Sequence, residues 1–201
     1  MIATDNGGGG SFEQAPEGTH LARCYKLIDL GTQVREFPGS EPKKNRQIII
    51  GWELPGELMT TGEFAGQPFT ASKFYTLSLH EKATLRGHLK NWRGRDFTTE
   101  ELAGFELKNL LGKPCMLSIV LNEKGRAQVG SVLAVMKGVA VPEAVNPTVY
   151  FSLDPKEFDQ SVFDSFSDKM KALITPSDEY KARAAKMEAP ADVEHADDIP
   201  F

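Results

Sequence analysis

Cationic and flat aromatic side chains recur together along this chain, and that pairing has the clearest chemistry. Arg35, Phe37, Lys43, Lys44 and Arg46 fall around the stretch "FPGSEPKKNR". Lys73, Phe74 and Tyr75 are consecutive, Arg93 and Arg95 flank Gly94 in "NWRGR", and Lys124 and Arg126 flank Gly125 in "EKGR". Trp52 adds a ring in the apolar run "QIIIGWEL". Lysine and arginine neutralise phosphates and release counterions, and flat rings stack on bases at roughly 1–3 kcal/mol per base. The set therefore suits a polyanion with planar faces.

Each member also has a plainer reading. Trp52 alternates with Ile48, Ile50 and Leu54, which favours the core, and Tyr75 shares its face with Leu77 and Leu79. Phe74, on the opposite face with Thr76 and Ser78, is the better stacking candidate. Lysines in a loop are usually just solvated. Arg93 and Arg95 near a helix end either complement the helix dipole or clamp phosphate, and the two readings stand level.

Catalytic chemistry has little support. Glu100 and Glu101 are adjacent, but neighbouring helical residues diverge by about 100 degrees, so they read as first-turn acids at a helix N-terminus. The sequence holds no phosphate-cradling glycine loop, nucleophile elbow or Ser-His-Asp order. Cys24 and Cys115 sit in apolar, strand-like runs, as reduced buried thiols do, and His20, His80, His88 and His195 are scattered, so neither a metal nor a cofactor is expected.

Charge is unevenly placed. The net charge of -5 combines 23 Lys and Arg with 28 Asp and Glu. Five of those acids and no Lys or Arg fall in the last fourteen residues, "EAPADVEHADDIPF", so the preceding chain is formally neutral. A polyanion partner is thus compatible with the body, and the acidic deficit belongs to the tail. No run reaches the ~18 apolar residues of a membrane span. The start, "MIATDNGGGGSFEQ", lacks the charged and apolar regions of a signal peptide, so no membrane contact and a cytoplasmic location are expected.

The elements that must position these residues are mainly strands. "THLARCYKLIDLGTQVREF", "QIIIGWEL" (47–54) and "FTASKFYTLSL" (69–79) read as three strands. "HEKATLRGHLKNW" has a helical apolar period, and "TTEELAGFELKNLLG" reads as a second helix with Thr98 and Glu101 as a capping box and Gly112 as its stop. "CMLSIVLN" (115–122) and "AQVGSVLAVM" (127–136) form a hairpin across "EKGR". Three strands, a helical insert and a hairpin match a five-stranded Greek-key barrel of the oligonucleotide/oligosaccharide-binding (OB) type. The expected partition is a flexible arm over 1–17, a barrel over 18–138, an extension over 139–187 and a disordered acidic tail over 188–201. In the extension, "TVYFSLD" predicts a strand, "DPKEFDQSVFDSFSDKMKALI" a helix that packs on the barrel, and "SDEYKARAAKM" a last helix.

The tip "DDIPF" resembles the C-terminal tip of bacterial single-stranded DNA-binding proteins. The body, through "DLGTQ" (29–33), "WEL" (52–54), "FYTLSLHEKA" (74–83), "NWRGRDFTTEEL" (91–102) and "LLGKPC" (110–115), resembles bacteriophage-encoded single-stranded DNA-binding proteins over roughly residues 16–138. The resemblance implies an OB-fold protein that coats single strands in replication, recombination and repair in a bacterial host. It also implies that the tip recruits partner enzymes such as a polymerase, helicase, nuclease or primase. Pro200 and Phe201 would then enter an apolar pocket on the partner, a basic residue there would pair with the terminal carboxylate, Asp197 and Asp198 would meet a basic rim, and Ile199 counts with them as partner-binding. Homo-oligomerisation is a further possibility of the family, although the short linker and the extension depart from the tetrameric bacterial pattern. The competing expectations are an adaptor that docks on host enzymes without binding DNA and a recombination strand-annealing protein.

Overall fold

The computed structural model describes residues 13–35, 39 and 41–188. The Gly-rich start and the tip residues Asp197, Asp198, Ile199, Pro200 and Phe201 lie outside the described residues, as do Phe37 and the Arg35 side chain. Among the described residues there are six strands: β1 (Gly18–Arg35), β2 (Lys43–Leu58), β3 (Pro68–Thr76), β4 (Pro114–Leu121), β5 (Ala127–Leu133) and β6 (Val149–Phe151). They form one antiparallel sheet in the order β3-β2-β1-β4-β5, with β6 paired to β1. Along β1 and β4 the register runs from Gly18 opposite Ile119 to Arg23 opposite Pro114.

The described residues divide into two compact units: those within 13–28 and 48–150, and those within 29–47 and 151–188. This differs from the sequence partition in both directions. Residues 139–150 go with the larger unit, and 29–47 go with the C-terminal residues.

In the larger unit, period-2 patterning aims Ile48, Ile50, Trp52 and Leu54 of β2 into one core, with Cys24, Cys115, Leu117 and Ile119. The helix α1 (Thr84–Arg93) lays Leu85, Leu89 and Trp92 on that core. It ends at Gly94, whose φ of 67° closes the helix in the left-handed conformation that favours glycine. Trp92 donates from Nε1 to the Pro114 carbonyl at 2.7 Å. Both cysteines are buried free thiols, and desolvation pushes the Cys24 thiol up to about 12.

Local chemistry corrects several expectations. Residues 13–17 belong to the fold. Glu13 accepts from the backbone N–H and hydroxyl groups of both Thr60 and Thr61, and Ala15 joins the core. The helix expected over 98–112 is broken. The capping box forms as read, but α2 (Thr99–Ala103) stops at an extended Gly104, and a separate 3-10 turn, Leu107–Leu110, starts from the Glu106 carboxylate. Strand β3 ends at Thr76 and α1 starts only at Thr84, so 77–83 is a connection.

In the smaller unit the single expected helix is two: α3 (Gln160–Asp164), capped by Asp159, and α4 (Asp168–Ile174), capped by Ser167. A second N-cap side chain inside the periodic run starts a new helix instead of extending the old one. The phenylalanines that gave the helical period form an aromatic cluster. The Phe151 ring lies 5.4, 5.9 and 5.2 Å from those of Phe158, Phe163 and Phe166. The last helix, α5 (Asp178–Glu188), stacks Tyr180 on Phe163 at 5.0 Å. A nearly buried carboxylate anchors this unit. Asp29 accepts from the Gly31 and Leu153 backbone N–H groups and from the Arg46 guanidinium. Gly31 is the one residue type that fits beside it, since its φ is +71° and an added Cβ would come within 2.6 Å of Ser177 Cβ.

Glu53, with no exposed surface, accepts from Val145 N at 3.1 Å and from Asn146 N and Nδ2 at 2.7 and 2.8 Å. Removing it strands three donors, so Glu53→Ala should lower the unfolding free energy by roughly 3–5 kcal/mol. Urea denaturation would show this as a lower midpoint at an unchanged slope.

Candidate nucleic-acid interface

Strand β3 sorts the candidate aromatics by alternation. Phe69, Ala71, Lys73 and Tyr75 point toward the core side, while Thr70, Ser72, Phe74 and Thr76 are exposed on the other. Phe74 keeps 49% of its surface open to solvent. On the same face, Lys26 and Ser72 meet above Gly51, where an added Cβ would lie 3.0 Å from Lys26 Cβ and 3.2 Å from Ser72 Oγ. The missing side chain leaves a shallow place in β2 over which the Lys26 stem lies. Threonine, serine, an open phenyl ring and the stem of a half-buried lysine thus share one sheet surface.

Two of the expected stacking rings are withdrawn from it. Trp52 is completely buried, its ring 6.1 Å from that of Trp92, and Tyr75 is 4% exposed. Neither presents a face to a ligand. Burial pushes the Tyr75 phenol well above its ordinary value. Its hydroxyl lies 2.8 Å from His88 Nδ1. Desolvation and then the nearby Lys73 ammonium push the His88 imidazole below its ordinary value, against a hydrogen bond with the Gly130 backbone. A neutral ring that donates to Gly130 accepts the Tyr75 proton at Nδ1. Lys73 itself donates to the Val129 carbonyl at 2.7 Å. These three side chains form a polar seam where β3, α1 and β5 come together, which is a structural use of Lys73 and Tyr75.

The basic candidates are sorted by ion pairing. Arg95 holds Glu101 through two bonds of 2.7 and 3.0 Å, and Arg93 pairs with the same carboxylate. The Arg93 guanidinium also lies 4.5 and 4.9 Å from the Phe97 and Phe105 ring centres. The carboxylate that caps α2 therefore occupies both arginines, and a phosphate would have to displace it. In the smaller unit Lys44 pairs with Asp178 at 2.8 Å, and Arg46 is held by Asp29. Lys43, Lys124 and Arg126 are exposed. In the β4–β5 turn the Asn122 side chain accepts from the Lys124 and Arg126 backbone N–H groups at 2.9 and 3.0 Å, so both side chains extend from an ordered turn.

Sequence reasoning missed Lys26, Thr70 and Ser72. Alternation within β3 points to the last two. Lys26 carries no such signal, because Cys24 and Leu27 both reach the core and the period of two fails between them. Among the described residues no group of three or more His, Cys, Asp or Glu is placed to hold a metal ion, and no helix is long and apolar enough to cross a membrane. Compared with protein-family models and with curated proteins, the chain matches none.

Arg95 and then the Thr98 backbone N–H hold the Glu101 carboxyl down to about 2. A depressed folded-state value contributes stability above the unfolded value near 4.5 and loses it as pH falls toward 2. Glu101→Gln should therefore melt at a lower temperature than the unmodified chain at pH 7. The gap should narrow below pH 4.5 and close near pH 2 in thermal scans.

Proposed function

We propose that this protein binds single-stranded DNA without sequence preference, laying the strand across the outer face of β3 with Phe74 as a base-stacking platform. The observation that carries the reading is the exposed Phe74 ring on a surface of Thr70, Ser72 and Thr76, with the half-buried Lys26 stem against Ser72 over Gly51. One open ring gives sequence-tolerant stacking, hydroxyls serve phosphate or sugar oxygens, and the cation adds a salt-dependent term. Lys124 and Arg126 extend from the β4–β5 turn, which in an OB barrel borders the strand-binding face.

A barrel is part of the same proposal. The order β3-β2-β1-β4-β5 leaves β3 and β5 as the edges, and the Lys73 to Val129 bond together with the His88 contacts supports curling that brings those edges near each other. The strand, helix and hairpin order supports the OB reading as well. We extend the proposal to the biological role implied by the resemblance, coating of single strands in replication, recombination and repair with enzyme recruitment through Asp197, Asp198, Ile199, Pro200 and Phe201.

A second reading has its own observation. Lys44, Arg46, Arg93 and Arg95 are all spent on internal ion pairs, which favours an adaptor whose tail docks on host enzymes while the body binds protein. Fluorescence titration of a labelled oligo-dT separates the two. Strand binding predicts tight, salt-sensitive association with oligo-dT and weak association with duplex, and equal affinity for duplex of the same length would overturn it.

Phe74→Ala should weaken oligo-dT binding by roughly 5- to 150-fold, the equivalent of 1–3 kcal/mol of stacking. Its melting temperature should change little, because half of the ring is already in water. Lys124→Glu and Arg126→Glu should each reduce the slope of log affinity against log salt by about one.

A further inference from the structure

The smaller unit contains a cavity of about 300 Å³ beside α5, lined by Leu153, Pro155, Glu179, Ala182, Arg183 and Lys186. Its chemistry is uneven. Leu153, Pro155 and Ala182 give apolar lining, and Glu179, Arg183 and Lys186 give charged lining. Glu179, the one acid, is committed elsewhere, accepting from the Thr32 backbone N–H at 2.6 Å and the Thr32 hydroxyl at 2.7 Å. Arg183 lies with its guanidinium 3.7 Å from the Phe158 ring centre, which fixes its position by stacking and leaves its N–H fork without a carboxylate in that contact. Lys186, one turn further on, is exposed. The cavity combines apolar lining with two cations of α5, Arg183 and Lys186, whose one acidic neighbour in the lining is engaged by Thr32.

The same chain carries the complement. Its last fourteen residues hold five acids and no Lys or Arg, and within them Asp197 and Asp198 run directly into Ile199, Pro200 and Phe201. Helix α5 ends at Glu188, close in sequence to Lys186 and Arg183. Residues 189–201 are thirteen, and an extended chain of that length spans up to about 40 Å. That is ample to leave the end of α5 and return to its side.

We infer that this cavity is the docking site for the chain's own C-terminal tip, with Ile199, Pro200 and Phe201 in the apolar pocket and Asp197 and Asp198 against Arg183 and Lys186. An aromatic anchor in a pocket supplies affinity, and the charges supply orientation. Docking withholds the tip from other proteins until it is displaced, so recruitment by the tail becomes a competition between this pocket and the partner. The inference stands on the pocket and the tail alone and does not require that the β3 face bind DNA.

The test uses the full chain and a fluorescent VEHADDIPF peptide followed by anisotropy. The peptide should bind the Phe201→Ala chain, whose own tip is disabled, and should weaken as salt rises. It should bind the unmodified chain about tenfold more weakly, because the pocket is already filled. Lys186→Glu, placed in the Phe201→Ala chain at an exposed site, should weaken the peptide about tenfold by setting a like charge against the two aspartates. Ala182→Glu, which narrows the apolar wall, should do the same, and circular dichroism of each variant verifies the fold. Equal affinity for the unmodified and Phe201→Ala chains, or indifference to both pocket substitutions, would overturn the inference. Sedimentation should give a size that does not depend on Phe201. A dimer abolished by Phe201→Ala would assign the pocket to a second copy's tip and overturn docking within one chain. Oligo-dT affinity of the same variants is read separately, so failure of the docking and failure of the strand-binding proposal are distinguishable.

Discussion

The central segment of β2, residues 48–54, is buried on both faces, and the larger unit is organised around that constraint. Ile48, Ile50, Trp52 and Leu54 supply one face and collect the core from β1, β3, β4 and α1. The other face carries Ile49, Gly51 and Glu53, and each imposes a condition. A carboxylate without solvent must be met by donors, which fixes the backbone of Val145 and Asn146 against it. A glycine in mid-strand leaves room that Lys26 and Ser72 fill. The open surface of β3 begins only beyond that covered strip, so the burial of β2 decides where a ligand has access.

Ion pairing has a comparable effect on the charges. A surface pair contributes little to stability, yet it determines which cations face outward unopposed. Glu101 serves as capping-box residue and as the shared acceptor of Arg93 and Arg95, and Asp29 holds Arg46 while accepting two backbone N–H groups. The motif "DLGTQ" is explained by the same contacts. Asp29 is the anchor, Gly31 makes the close approach to Ser177, Thr32 donates to Glu179, and Gln33 donates to the Leu30 and Leu173 carbonyls. These are demands of packing, and they absorb residues whose types alone suggest a ligand.

Much of the β-rich framework was legible because it rests on local periodicity. The three leading strands, the apolar stripe of α1, the capping box at Thr98 and the hairpin around Gly125 each carry a pattern within a few residues. Helix breaks were less legible, although the caps at Asp159 and Ser167 stand in plain view. The regular spacing of Phe158, Val162, Phe166 and Met170 overrode them, and that spacing belongs to an aromatic cluster. The division into two units was not legible at all. It depends on Asp29 and Arg46 meeting residues more than a hundred positions away in sequence, such as Leu153 and Glu179.

For the candidate interface the split is between residue type and residue environment. Composition and order by themselves determined a mainly β chain, the placement of every excess acid in the last fourteen residues and the outward face of Phe74. Alternation already favoured the core for Trp52 and Tyr75, but only the tertiary structure decided that four of the basic candidates are spent on carboxylates and that Lys26 stands beside Ser72 on the open face. The physical reason is that alternation is a property of consecutive residues. Burial, ion pairing and shared surfaces are properties of residues brought together from distant parts of the chain.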